Sequence, residues 1–174
     1  IHTHAIKQVL AIAGSDSGGG AGIQADIKAL SANGVFAMSV ITAVTAQNTE
    51  EVTDVFELPT SIIAAQIEAV FDDFDVAAVK TGMLSSTAIV EVVVTLLKLQ
   101  HVTNLVVDPV MISKTGHALL KPEAIDAMKT QLFPLALLVT PNIHEAQQLS
   151  GMEIKTLADA RRAAKVIHGF GCKH

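Results

Sequence analysis

A glycine-rich stretch near the start of the chain is the segment whose composition points most directly to ligand binding. Residues 14–26 read GSDSGGGAGIQAD and connect an apolar run, residues 9–13, to a helical pattern. Glycine allows positive φ and lets a ligand approach the backbone, because no Cβ stands in the way. The amides at the start of the following helix are free to face a polar ligand. The stretch therefore predicts a small-molecule site, with a purely structural tight turn as the alternative.

A planar carboxamide and a thioether follow two later apolar runs. Gln47 presents an acceptor and two donors in one plane, which suits the edge of an aminated heterocycle by the geometry that pairs glutamine with adenine. Met83 offers a polarizable sulfur to the face of an aromatic ligand. Each has a structural alternative, since a glutamine in a turn bonds local backbone and a methionine after a strand packs in the core.

Two acidic residues, Asp108 and Glu145, stand where other apolar runs end. Two carboxylates that face one cleft suit Mg²⁺, which binds one or two carboxylates together with phosphate oxygens and water. The structural alternatives are a turn cap for Asp108 and a capping box of Asn142 with Glu145 at a helix start. Lys114, close to Gly116 in a predicted loop, is a candidate cation for phosphate, and a solvated lysine is the alternative.

Several common catalytic and binding motifs do not occur in the sequence. No Gly-Lys-Ser/Thr follows the glycine stretch, which excludes a P-loop, and the Gly-x-Ser-x-Gly elbow of hydrolases is absent. The seven histidines lack the spacing of metal ligands. Residues 20–25 satisfy the relaxed fingerprint G-x-G-x-x-A, so a dinucleotide-binding domain stays open, although no acidic residue closes the next strand.

Apolar β-branched runs alternate with helical patterns along the chain. The predicted strands are residues 8–13, 36–45, 52–57, 76–80, 104–108 and 135–140. The predicted helices are residues 22–33, 60–73, 86–100, 122–131, 142–150 and 156–169. Runs that are apolar on consecutive residues indicate strands buried on both faces, as in a parallel sheet between helix layers. We therefore predict an α/β fold with a doubly wound, mostly parallel sheet, whose strand ends bring the candidate residues to one rim.

Composition argues against several classes of partner and location. The 174 residues carry a net charge of −5 without a Lys/Arg cluster, and Trp and Tyr are absent, which argues against nucleic acid as a partner. No segment reaches the roughly 18–20 uninterrupted apolar residues of a membrane span. The single cysteine, Cys172, forms no internal disulfide and favours a reducing, cytoplasmic location.

Five segments of the chain resemble one family in their order and spacing. They are residues 13–26 (AGSDSGGGAGIQAD), 39–43 (SVITA) with 46–49 (AQNT), 80–84 (KTGML), 107–111 (VDPVM) with 114–116 (KTG), and 140–142 (TPN) with 145–146 (EA). Through them the chain resembles the hydroxymethylpyrimidine/phosphomethylpyrimidine kinases, thiamine-biosynthesis enzymes of the ribokinase superfamily. Pyridoxal kinases of the same superfamily share the first and last segments, whereas residues 46–49 favour the pyrimidine enzymes.

The resemblance implies a ribokinase-like fold with helices on both faces of the sheet, ATP and Mg²⁺ as cofactors, and a role for each matching residue. The residues implied to line or flank the pyrimidine pocket are Gly14, Ala21, Asp26, Thr45, Gln47 and Met83. Within this pocket Gln47 is implied to recognise the amino edge of the ring. The residues implied to organise Mg²⁺ and the ATP phosphates are Asp108, Asn142 and Glu145, with the metal at the two acids. Lys114 is implied to act catalytically from a mobile flap over the reaction centre.

The activity implied is transfer of the ATP γ-phosphoryl group to 4-amino-5-hydroxymethyl-2-methylpyrimidine and then to its monophosphate. The family's second signature, a Gly-Thr-Gly block with the catalytic base, is expected beyond His174. Residues 1–174 are therefore predicted to form a single ribokinase-like domain, incomplete at its C-terminus and unable to turn over alone. The resemblance also implies a homodimer. The alternatives are a pyridoxine or pyridoxal kinase, a dinucleotide-binding domain and a non-catalytic small-molecule binding module.

Overall fold

Strands and helices alternate through residues 6–111 and 120–174, the part of the chain that the computed structural model describes. The strands are β1 (Gln8–Asp16), β2 (Phe36–Gln47), β3 (Val52–Glu57), β4 (Val76–Thr81), β5 (Leu105–Val107) and β6 (Leu138–Val139). The α-helices are α1 (Gly22–Ala32), α2 (Thr60–Asp73), α3 (Thr87–Leu99), α4 (Pro122–Ala127), α5 (Ile143–Ser150) and α6 (Leu157–His168). A π-helical turn (Met128–Leu132) and a 3₁₀ turn (Phe133–Leu135) connect α4 to β6.

The strands of the described residues form one sheet in the order β3-β2-β1-β4-β5-β6. Every pairing is parallel except that of β2 with β3, which is antiparallel. The prediction of an α/β fold with a mostly parallel sheet is confirmed. The order of the strands reverses next to β1, because β2 lies on one side of it and β4 on the other. In sheets of this kind, ligands bind outside the carboxyl ends of the strands at such a reversal.

Side chains of β1 alternate between two layers of helices, and this alternation positions the glycine-rich loop. Leu10 is fully buried in the main core together with Ile63 of α2. Ala11 and Ala13 belong to a second apolar cluster with Ile23 of α1. Small side chains on this second face let α1 lie close to the strand, since successive residues of a strand point to opposite sides of the sheet. The first turn of α1 is thereby held beside the end of β1.

Three elements differ from their predicted bounds by three residues or more. β1 reaches Asp16, three residues beyond its predicted end, because Ser15 and Asp16 still pair with β2. The predicted helix 122–131 is α-helical only as far as Ala127 and then widens into the π-helical turn. The predicted strand 135–140 shortens to β6, because Leu135 still belongs to the 3₁₀ turn and the Ala136 N–H donates to the Phe133 carbonyl oxygen.

Two points raised by the composition concern the environment of Cys172 and the length of the helices. Cys172 is buried, its thiol lies 3.6 Å from the Ile167 carbonyl oxygen, and burial raises the pKa of the thiol, so that it behaves as a core residue. None of the helices in the described part of the chain is both long enough and apolar enough to span a membrane.

Candidate active site

A cavity of about 490 Å³ opens at the carboxyl ends of β1, β2, β4 and β5 and reaches the start of α5. Its walls come from segments that are far apart in the sequence and that the sheet brings to one edge. Nine of the predicted site residues line it: Gly14, Ala21, Asp26, Thr45, Gln47, Met83, Asp108, Asn142 and Glu145. Lys114, the tenth, lies outside the described residues. The structure brings the nine candidates together, and their individual roles stay predictions.

The carboxylate of Asp16 organises the glycine-rich loop from within. It accepts the backbone N–H groups of Gly18, Gly20 and Ala21 over 2.8, 2.9 and 2.8 Å, and the residue is only 6% exposed. Hydrogen bonds to a charged acceptor are stronger than those between neutral groups. No sequence pattern singled out this residue. The amides predicted to face a ligand were those at the start of the following helix, which begins at Gly22. The three loop amides before it bind the protein's own carboxylate, which removes donors that a dinucleotide pyrophosphate would need.

Two glycines allow separate stretches of backbone to touch behind the loop. Gly22 has a φ of +55°, and a Cβ at this position would lie 2.3 Å from the carbonyl oxygen of Gly14. A Cβ on Gly14 would lie 2.7 Å from Cε of Met83. Met83 is held in turn by Thr42, whose hydroxyl donates to the Met83 carbonyl oxygen at 2.8 Å. The start of α1 therefore packs directly on β1, and the end of β1 packs on Met83, the second residue after β4.

Gln47, at the end of β2, is fixed to the loop by reciprocal hydrogen bonds. The Ser17 hydroxyl donates to the Gln47 carbonyl oxygen at 2.7 Å, and the Gln47 N–H donates to the same hydroxyl oxygen at 2.8 Å. The Thr45 hydroxyl lies 2.9 Å from the Ser15 carbonyl oxygen and 3.2 Å from Oε1 of Gln47. Backbone and side-chain contacts thus both restrict the position of the carboxamide that the sequence singled out.

Lys80 is a cavity residue that the sequence analysis did not identify. It is the penultimate residue of β4, and its ammonium lies 2.9 and 3.1 Å from the two carboxylate oxygens of Asp26 and 3.4 Å from Asp108. A lysine at the end of a buried apolar strand is a usable signal, because a partly buried charge needs a partner. The pattern does not reveal which partner, since Asp26 lies 54 residues earlier on α1.

Asp108 and Glu145 form the acidic end of the cavity. The capping box predicted as the structural alternative is present, since Oε2 of Glu145 accepts the Asn142 N–H at 2.9 Å and Oδ1 of Asn142 accepts the Glu145 N–H at 3.0 Å. Glu145 is nevertheless a cavity residue and is only 5% exposed. Burial raises the pKa of Glu145 and the negative charge of Asp108 raises it further, against hydrogen bonds from the Asn142 and Met111 backbone that lower it.

The donor set at this end fits one class of metal ion. Two carboxylates that repel each other in a partly buried cavity are stabilised by a cation. The described residues contain no group of three or more His, Cys, Asp or Glu that could hold a metal by themselves. This arrangement suits Mg²⁺, which keeps several waters and shares its coordination with phosphate oxygens, and it does not suit a structural zinc site.

Comparison with known proteins identifies the family. The sequence model for "Phosphomethylpyrimidine kinase" matches residues 16–174. The chain belongs to this family. A hydroxymethylpyrimidine/phosphomethylpyrimidine kinase of Haemophilus influenzae is 50% identical over 169 residues, which cover 97% of the present chain and 63% of that relative. The chain thus spans less than two thirds of the relative's length, and the resemblance seen in the motifs is confirmed.

Two solved structures share the fold of the chain. A phosphomethylpyrimidine kinase from Clostridium difficile 630 is 52% identical with a TM-score of 0.89, over 96% of this chain and 72% of that one. An ADP complex of Bacillus subtilis pyridoxal kinase is 42% identical with a TM-score of 0.88, over 97% of this chain and 64% of that one. These likenesses confirm the ribokinase-like fold that the motifs implied.

Proposed function

We propose that this protein is an ATP-dependent kinase of thiamine biosynthesis, which phosphorylates 4-amino-5-hydroxymethyl-2-methylpyrimidine and then its monophosphate. One observation carries the proposal. In a chain of the phosphomethylpyrimidine kinase family, a single cavity has Gln47 and the glycine-rich loop at one end and Asp108 with Glu145 at the other. Its volume of about 490 Å³ falls in the range of small-molecule sites. We call these two parts the ring end and the acidic end.

The ring end supports an aminopyrimidine because Gln47 offers a neutral, planar donor and acceptor there. The Gln47 carboxamide can accept from an exocyclic amino group and donate to the adjacent ring nitrogen in the same plane. Gly14 and Met83 form the neighbouring wall, where even one added methyl group at Gly14 would collide with the Met83 methyl. A flat ring held by its amino edge presents its hydroxymethyl group in a fixed direction, which favours transfer by restricting the reacting groups to one geometry.

The acidic end supports binding of the nucleotide phosphates with Mg²⁺. Asp108 and Glu145 would hold the metal, and Asn142 stands beside them as the first residue of the capping box. When bound, Mg²⁺ stabilises the charge of the phosphoryl group in transfer. The capping box fixes the backbone that carries Glu145 before any ligand arrives, so the acid needs little reorganisation. The flap role of Lys114 and a base beyond His174 stay predictions.

The second candidate is a pyridoxine or pyridoxal kinase of the same fold. It is favoured by the likeness to the Bacillus subtilis pyridoxal kinase, which is 42% identical to this chain. The pyrimidine kinases from Haemophilus influenzae and Clostridium difficile are more similar, at 50% and 52%. Gln47, in the Ala-Gln-Asn-Thr segment, offers a partner for an amino group that pyridoxal does not have. We therefore propose the pyrimidine as the main substrate.

A product analysis with the full-length protein tests the proposal. The protein is incubated with ATP, Mg²⁺ and either the aminopyrimidine alcohol or pyridoxal, and the products are separated by mass. We expect a pyrimidine monophosphate that is converted further to a diphosphate, and slower or no phosphorylation of pyridoxal. A faster reaction with pyridoxal, or a pyrimidine product that stops at the monophosphate, would contradict the proposed function.

Location and assembly are further proposals. The single buried cysteine and the absence of a basic cluster favour the cytoplasm and a small-molecule substrate rather than nucleic acid. The family resemblance implies a homodimer and a single domain. Light scattering on the purified full-length protein measures the mass directly and distinguishes a dimer from a monomer.

A further inference from the structure

Lys80 connects the two ends of the cavity. Its ammonium contacts both oxygens of Asp26, on α1 at the ring end, and lies 3.4 Å from Asp108 at the acidic end. The Lys80 side chain is 24% exposed, so the charge is neither fully solvated nor sealed in the core. Among the cavity residues that the structure describes, it is the one lysine or arginine.

The absence of a side chain at Gly82 leaves space for the Lys80 ammonium between Asp26 and Asp108. Gly82 lies two residues further along the chain, and a Cβ there would lie 3.2 Å from Nζ of Lys80. A side chain at Gly82 would therefore crowd the charge that bridges Asp26 and Asp108. The glycine and the lysine together keep a cation between two carboxylates that belong to different elements of the fold.

The charges near Lys80 are unequal. Asp26, Asp108 and Glu145 all line the cavity, whereas the fourth acid, Asp16, is matched by backbone amides. One ammonium therefore offsets part of the charge of three carboxylates. A divalent cation at Asp108 and Glu145 would be attracted by the carboxylates and repelled by Lys80, because Coulomb forces over a few ångströms are strong at the low effective dielectric of such a site. Phosphates would bring additional negative charge and outweigh this repulsion.

We propose that Lys80 is a positioning residue, which fixes the Asp26 carboxylate at the ring end and weakens metal binding at Asp108 until nucleotide phosphates are present. This inference rests on the proposed function, since it takes Asp108 and Glu145 as the metal site. It favours entry of the metal together with the phosphates, because binding of the metal alone is weakened. It also gives β4 a part in the reaction beyond its structural role in the sheet.

The test is a titration of the full-length protein with Mn²⁺, a paramagnetic substitute for Mg²⁺, in the absence of nucleotide. Electron paramagnetic resonance measures how much Mn²⁺ is bound at each step. Lys80→Met removes the charge and keeps a long side chain, and we expect Mn²⁺ to bind about tenfold more tightly than to the wild type, as loss of a partly buried cation predicts. Lys80→Arg keeps the charge and should stay within about threefold of the wild type. Addition of ADP should reduce the difference between Lys80→Met and the wild type.

A matched control separates the local effect from a change of net charge. Lys155 pairs with Glu153 on the surface, where both side chains are more than 70% exposed, and it does not line the cavity. Lys155→Met changes the net charge by the same amount and should leave Mn²⁺ affinity unchanged. An equal tightening in Lys155→Met and Lys80→Met would overturn the inference.

A variant with the opposite expected sign keeps the proposal testable if Lys80→Met does not fold. Asp26→Asn leaves Asp108 as the remaining carboxylate partner of Lys80, so Mn²⁺ should bind several-fold more weakly. Unchanged or tighter binding by Asp26→Asn, or unchanged or weaker binding by Lys80→Met, overturns the role of Lys80 and leaves the proposed function intact. No Mn²⁺ binding by any variant, even with ADP, overturns the metal site itself and this inference with it.

Discussion

The ring end and the acidic end of the cavity are built in opposite ways. At the ring end, the Asp16 carboxylate is matched by three backbone amides, and Gln47 is tied to Ser17 by reciprocal hydrogen bonds. At the acidic end, the negative charge of Asp108 adds to burial in raising the pKa of Glu145. One end has its polar groups satisfied by the protein, and the other has an excess of negative charge.

This difference indicates how each end obtains its shape. A loop whose charge is satisfied internally is already organised before binding, which lowers the cost of ordering it around a ligand. An acidic pair in a partly buried cavity is completed only when a cation arrives. Substitutions of residues that organise the loop at the ring end are therefore expected to change the stability of the fold as well as ligand binding. Substitutions at the acidic end are expected to change ligand binding and the dependence of stability on pH.

The largest effect is expected from Gly22→Ala. The new Cβ would lie 2.3 Å from the Gly14 carbonyl oxygen at a φ of +55°, so α1 must move away from β1. We expect the free energy of unfolding to fall by about 3 kcal/mol or more, measured by urea denaturation. Gly34→Ala is the matched control, because its φ is +75° but no atom lies within 4 Å of the added Cβ, and about 1 kcal/mol is expected. Equal losses would show that the contact with Gly14 contributes nothing.

Asp16→Ala comes next in size. It leaves the N–H groups of Gly18, Gly20 and Ala21 without their acceptor. Gly18 and Gly20 are exposed and Ala21 is half-buried, so hydration offsets part of the loss, and about 2 kcal/mol should be lost in the same denaturation experiment. The control is Asp54→Ala on β3, where an exposed carboxylate accepts the Val55 N–H, and less than about 0.5 kcal/mol is expected. A loss no greater than that of the control would contradict an internally organised ring end.

Gly14→Ala should have a smaller effect on stability and a clear effect on binding. The Cβ would meet Cε of Met83 at 2.7 Å, but the end of a methionine side chain can move, so about 1 kcal/mol is expected in thermal unfolding. The displaced methyl group narrows the ring end, and calorimetry should show roughly tenfold weaker binding of the aminopyrimidine alcohol. Unchanged affinity for the aminopyrimidine alcohol would show that the pyrimidine ring does not lie against Gly14.

Glu145→Gln is expected to have the smallest effect on stability and, unlike the substitutions above, to raise it. The pKa of Glu145 is raised by burial and by Asp108, so ionisation opposes folding once the pH exceeds the ordinary value of 4.5. Glutamine keeps the capping box without the charge. The variant should match the wild type near pH 4 and be more stable than the wild type at pH 7 to 8, as measured by urea denaturation at each pH.

Asp159→Asn is the control for this pH dependence, because Asp159 occupies the same capping-box position in α6. Hydrogen bonds from Thr156 and from the Lys155 and Thr156 backbone lower the pKa of Asp159, so ionisation favours folding above its ordinary value of 3.8. This variant should be less stable than the wild type at pH 7, and the difference should disappear in acid. If both substitutions change the stability at pH 7 in the same direction, the contrast between the charged cavity and the helix cap at Asp159 is contradicted.

Much of the fold follows from the sequence, because consecutive apolar runs and helical periodicity identify buried strands and their crossover helices. β2, β3 and α2 lie within two residues of their predicted bounds. The failures are local. The 3₁₀ turn that ends at Leu135 delays the start of β6. The π-helical turn after α4 was missed because the ten residues of the predicted helix are too few to reveal a change of helical period. β1 runs on to Asp16 because of pairing with β2, which is a long-range contact.

The placement of a residue in the cavity was predictable where residue type and position at a strand end sufficed, as for Gln47 and Asp108. The contacts of a residue were not predictable where they depend on a distant partner. Lys80 is noticeable as a charge in an apolar strand, but the fold is needed to show that Asp26 and Asp108 share it. Asp16 lies within the glycine stretch itself, yet its carboxylate accepts hydrogen bonds from the loop amides only in the folded conformation of the loop.

The most direct test of the two-ended cavity is a pair of calorimetric titrations on the wild type, Gln47→Ala and Asp108→Asn. One titrant is 4-amino-5-hydroxymethyl-2-methylpyrimidine, and the other is ADP with Mg²⁺. Gln47→Ala should bind the pyrimidine roughly 10- to 100-fold more weakly, the loss of one to two good hydrogen bonds, with ADP affinity nearly unchanged. Asp108→Asn should show the reverse. If Gln47→Ala weakens both ligands equally, the ring and the phosphates do not occupy separate ends, and the account is wrong.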